Sequence, residues 1–121
     1  MYYDEDELLD LRLNILDEYV DKFIITESKF THSGKIKNKN FRIENFKKFQ
    51  KKIEYFYIEN EPENLKKTQD EDGEDELNNK KIYNGLLRDN YQRECLEQGI
   101  KKLNNEDIII LSDLDEIPNL E

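Results

Sequence analysis

One cysteine, Cys95, stands alone among 121 residues, so no disulfide can form within the chain. No apolar run approaches the length needed to cross a bilayer, and no signal-peptide pattern opens the sequence. The one histidine, His32, lies in a polar loop, where a surface role is the commoner one. Apolar residues are also in short supply, 36% against 40% charged. That is enough for one domain with a modest core, and it leaves part of the chain outside any core. Six Phe and seven Tyr exclude disorder throughout.

The net charge of −10 is unevenly spread. Glu59 to Glu76 carry nine acids and two lysines, whereas Lys29 to Lys52 carry nine bases and one acid. The overall acidity therefore says little about a partner, and the local asymmetry says more.

The most informative stretch lies near the carboxyl end. Ile108 to Leu111 form an unbroken apolar run, too short for a helix and suited to a strand buried on both faces. Ser112 ends it, Asp113 and Asp115 follow two apart, and Pro118 blocks an easy return to regular structure. Ligands of open α/β sheets sit outside the carboxyl ends of such strands. Two close carboxylates repel unless a positive group lies between them, and hard divalent cations prefer oxygen ligands. An Asp-x-Asp alone is a weak signal. The plain alternative is an acidic turn, with Asp113 as a cap and Glu116 in solvent.

Taken in order, Met1 to Tyr3 resemble the tail of a strand. Asp6 to Tyr19 read as an amphipathic helix, its acidic start favoured by the macrodipole and Arg12 outside its apolar face. Phe23 to Thr26 read as a short buried strand that ends in Glu27 and Ser28. Thr31 to Lys35 form a loop in which Gly34 permits a tight turn or a close approach. Asn45 to Lys52 are expected as a helix and Tyr55 to Ile58 as a strand. Residues 59–81 are expected as a flexible acidic insertion. Asp89 to Leu103 are expected as one helix, with Cys95 a buried thiol on its apolar side. The order is that of an alternating α/β domain.

Four segments, in order, resemble glycosyltransferase family 17. They are Glu5 to Asn14; Phe23 to Ser28 with Thr31 to Lys37; Arg88 to Glu94; and Asp107 to Pro118 with its Ser-Asp-x-Asp-Glu-Ile-Pro core. The resemblance implies an α/β, GT-A-like (Rossmann-like) fold, a mostly parallel sheet flanked by helices. Residues 1–121 would be a single, incomplete domain of it. It implies that Asp113 and Asp115 hold Mn²⁺ or Mg²⁺, Asp115 directly and Asp113 the metal or a ribose. It implies UDP-N-acetylglucosamine as donor, a mannose-containing glycan of N-glycan type as acceptor, and inversion at the anomeric carbon. Glu27, Ser28, Lys35, Arg88, Arg93, Asp113 and Glu116 become the expected nucleotide-sugar contacts, the basic ones because such groups match phosphate oxygens. Family members continue well past the Asp-x-Asp, so the acceptor site and the general base are expected outside these residues. No catalytic base is assigned, and weak or absent transfer is expected of these residues alone. Many members are anchored in the Golgi membrane, and the compartment of this chain is left open.

Two other readings compete. A haloacid dehalogenase-like phosphatase also places Asp-x-Asp after a buried strand, but Ile117 stands where Thr or Val is usual and the motif lies at the wrong end of the chain. A nucleic-acid or polyanion binder would use residues 29–52, with Phe30, Phe41, Phe46 and Phe49 as stacking groups.

Overall fold

The computed structural model describes residues 1–120. Helix α1 spans Asp6–Leu16 and begins with Asp6 and Glu7 in its first turn, where the helix dipole favours acids. It ends three residues before the expected Tyr19. Leu9, Leu13 and Leu16, at spacings of four and three, are its buried stripe, while Leu11 and Ile15 face solvent. Strands β1, Phe23–Ser28, and β2, Ile53–Ile58, pair in parallel, with Phe23 opposite Ile53 and Ser28 opposite Ile58. Tyr2 adds an isolated parallel bridge to Glu27, its N–H donating to the Thr26 carbonyl at 2.9 Å.

A parallel pair needs a crossover, and residues 29–52 supply it. The crossover contains a 3-10 helix, Ile43–Phe49, kinked at Phe46, where an α-helix over 45–52 was expected. The physical reason is packing. Phe46 and Phe49 are both driven into the core, and the tighter turn with its kink brings both rings inward. Phe41 stacks on Tyr55 and on Phe46, with ring centroids 4.4 and 5.5 Å apart, and Tyr2 meets Phe41 edge-on. These rings, the α1 leucines, Phe23 and Ile25 form one core on one face of β1. On the other face, Ile24 lies so close to Gly99 that a Cβ there would fall 2.7 Å from the Ile24 side chain. Helices thus cover both faces of the sheet.

Helix α2 spans Glu74–Glu94 and α3 spans Glu97–Ile100. This corrects two expectations. The acidic segment 59–81 is without helix or strand only as far as Gly73, and the single helix over 89–103 is broken at Cys95 and Leu96. A third correction concerns the apolar run. Ile108 to Leu111 form no strand among the described residues; Ile108 is 91% exposed and Leu111 63%. An extended run becomes a strand only where a neighbour accepts its backbone groups. β1 already has β2 on one side and Tyr2 at the end of the other.

No helix of the described residues is long and apolar enough to cross a membrane.

Candidate functional site

The carboxyl end of β1 opens into a cleft of about 510 Å³. Tyr3, Ser28, Phe30, Thr31, Lys37 and Gln92 are among its lining residues. Ser28 accepts a hydrogen bond from the Phe30 N–H at 3.0 Å, which turns the chain out of the strand. The following turn closes through Thr31, whose hydroxyl accepts from the Lys35 N–H at 3.0 Å and whose carbonyl accepts from the Gly34 N–H at 2.9 Å. Gly34 has φ +82°, the left-handed region that the expected tight turn requires.

Glu27 does not line the cleft. It is fully buried, and four donors occupy its two oxygens. Lys37 and the Asn40 N–H meet Oε1, while the Phe41 N–H and the Tyr55 hydroxyl meet Oε2. Burial pushes this carboxyl up, but the bonds from Lys37, Asn40, Tyr55 and Phe41 outweigh it, and the net shift is downward. Lys37 therefore carries Glu27 to the cleft wall, and its ammonium also sits 5.0 Å from the Tyr3 ring centroid. Lys35 is exposed and outside the cleft lining; Lys37, which sequence reasoning passed over, occupies that place. The signal was available: an acid inside a buried strand needs a cation, and a basic tract follows at once.

The acidic loop, Ser112 to Glu116, meets the end of α2. Gln92 is buried, donates to the Thr26 carbonyl at 3.1 Å and lines the cleft. Its neighbour Arg93 binds Asp113 Oδ1 at 2.8 Å and Asp89 at 3.3 Å. Met1 also lines the cleft. Its amine, pushed down by burial and by Arg12, is within electrostatic reach of Asp113 and Arg93. The cleft and the loop thus share one border. Arg88 is engaged differently: it pairs with Glu61 at 2.6 Å and donates to the His32 carbonyl at 3.1 Å, tying the acidic segment to the Gly34 turn. Glu116 closes the loop, its Oε2 accepting from the Asp113 N–H at 3.2 Å. Asp115 is exposed. Arg12, placed outside the apolar face in the sequence reading, reaches across to this loop. Cys95 is partly buried, and burial raises its thiol.

The profile of glycosyltransferase family 17 matches residues 1–121. The chain belongs to glycosyltransferase family 17. It is 30% identical over 122 residues to the human, rat and mouse proteins named beta-1,4-mannosyl-glycoprotein 4-beta-N-acetylglucosaminyltransferase. Those alignments cover 94% of this chain and 20% of each relative, so the chain spans about a fifth of the length of the curated relatives it matches. No solved structure matches it.

Two properties of the loop bear on the cation expected of this family 17 chain. Among the described residues, no group of three or more His, Cys, Asp or Glu could hold a metal by itself. Asp113 and Asp115 offer hard oxygen donors from one short turn, which fits a cation shared with substrate phosphates rather than a closed protein cage. The stacking alternative loses three of its four aromatics: Phe41, Phe46 and Phe49 are 5%, 2% and 2% exposed and cannot stack on bases, which leaves only Phe30, partly exposed in the cleft.

Proposed function

We propose that this chain forms the donor-binding part of a metal-dependent, inverting N-acetylglucosaminyltransferase with a GT-A-like arrangement. The donor would be UDP-N-acetylglucosamine and the acceptor a mannose-containing glycan. The observation that carries this reading is the shared border of cleft and acidic loop at the carboxyl end of a parallel strand, where ligands of such sheets bind. The names of the mammalian relatives supply the sugar and the acceptor class.

The cleft presents the hydroxyls of Ser28, Thr31 and Ser33 beside the rings of Tyr3 and Phe30, a surface suited to a ribose or sugar and a flat base. Lys37 adds positive charge, held in place by Glu27. Asp115 and Asp113 are the groups that would hold Mn²⁺ or Mg²⁺, and Arg93 neutralises Asp113 when no cation does so. When bound, such a cation supplies neutralisation of the charge that develops on the leaving diphosphate. Arg93 stands next to that position and is the better phosphate candidate. Lys35 and Arg88 are exposed and engaged elsewhere, respectively.

Calorimetry with UDP-N-acetylglucosamine, with and without Mn²⁺, tests the proposal. Binding that requires Mn²⁺ in the native chain and is lost in Asp115→Ala is the expected result. Binding equal in both chains, or metal-independent binding that weakens steeply with salt, overturns it.

A further inference from the structure

The loop that carries Asp113 and Asp115 is preceded by an exposed, unpaired run and takes no support from a strand. Leu114 and Ile117 pack against the core and bring it to α1. What holds its shape is a guanidinium. Arg12 Nη1 donates to the carbonyls of Asp113 at 2.7 Å, Glu116 at 2.9 Å and Leu114 at 3.3 Å, and Nη2 donates to the Ser112 hydroxyl at 2.6 Å. The Ser112 hydroxyl in turn donates to the Glu116 carbonyl at 3.0 Å. Arg12 lies on α1 between Leu9 and Leu13, both in the core, so the fork is anchored to a fixed helix. The turn itself has only two weak backbone closures, Glu116 N–H to the Asp113 carbonyl at 3.1 Å and Ile117 N–H to that of Asp115 at 3.2 Å.

We propose that Arg12 is a positioning residue: its planar fork gathers the ends of the acidic turn and so sets where Asp113 and Asp115 stand for the donor. A lysine cannot reproduce this, because a point charge lacks the rigid set of donors. Burial disfavours the Arg12 charge, and the Glu116, Asp113 and Asp115 carboxylates around it oppose that effect. The functional half of this inference rests on the donor-binding reading above; the structural half does not.

The test compares the native chain with Arg12→Met and Arg12→Lys by rapid amide exchange in NMR and by titration with UDP plus Mn²⁺. In Arg12→Met the Glu116 and Ile117 amides should exchange about tenfold faster or more, with β1 and β2 amides unchanged, as expected for losing charge-assisted bonds. UDP affinity should fall by a similar factor, and Arg12→Lys should lie between. Native exchange at Glu116 and Ile117 in Arg12→Met overturns the proposal. A loosened turn with unchanged UDP affinity overturns its functional half. Failure of the native chain to bind UDP sinks the donor-binding reading and that half with it, while the exchange rates still decide what Arg12 does. Should Arg12→Met unfold, Ser112→Ala removes one partner of the fork, and a smaller rise at the same two amides is expected; no rise overturns the proposal.

Discussion

The Tyr55 hydroxyl donates to Glu27 Oε2 at 2.7 Å, from a position diagonal to Glu27 across the parallel pair, whose direct partner is Tyr57. The ring of Tyr55 stacks on Phe41, whose N–H binds the same oxygen. Backbone, ring and carboxylate therefore lock one another. Glu27→Gln keeps the shape but leaves donors facing an amide N–H₂. It should cost about 3 kcal/mol or more, as for breaking a buried pair. Urea unfolding of the two chains measures this.

The same carboxylate sets an acid limit. Its folded value lies below the ordinary 4.5, so its stabilisation is complete above that value and drains away as pH falls through the lower folded one. Tyr55 sets an alkaline limit. Burial and the bond to Glu27 hold its hydroxyl well above the ordinary 10.0, so stability falls once pH rises past that value, where the unfolded chain ionises. The urea midpoint should decline in both directions, and Glu27→Gln should flatten the acid side.

At Gly34 two constraints meet. Its φ is +82°, and a Cβ would fall 2.5 Å from an Arg88 guanidinium nitrogen. The guanidinium can move aside, whereas the backbone cannot. Gly34→Ala should therefore cost about 1–2 kcal/mol, mostly from the left-handed conformation. Adding Arg88→Ala should recover only a minor part in a double-mutant cycle read by thermal unfolding.

Asn84 is buried and binds the Lys66 backbone twice, accepting from its N–H and donating to its carbonyl, each at 2.8 Å. The side chain replaces a strand neighbour and pins the acidic segment to α2. Asn84→Ala should leave both Lys66 groups unpaired. Protease cleavage should then rise within residues 60–72, with a global loss of about 1–3 kcal/mol at most. Limited proteolysis timed on the native chain and the variant checks this.

These contacts show why some of the molecule could be read from sequence and some could not. α1, β1 and β2 announced themselves through apolar residues, and Ser28 was found as a cleft residue because a buried strand ended on it, whereas Glu27, expected beside it, is a buried anchor for Lys37. α2 buries no apolar residue. It is fastened by Asn84 and Gln92, whose partners are backbone groups 18 and 66 residues away. Ile108 to Leu111 have the composition of a strand, but composition does not provide a neighbour. Arg12 was invisible as a site residue for a similar reason: its first partner, the Asp113 carbonyl, lies 101 residues later.

The bare isoleucine run has a practical meaning for anyone handling the protein. Three isoleucines and a leucine, outside any helix or strand and open to water, are a template on which copies can stack. Glu106 and Asp107, both exposed on its amino-terminal flank, oppose that stacking through like-charge repulsion. Solubility of this chain should therefore hinge on those two acids, and it should worsen as salt screens them.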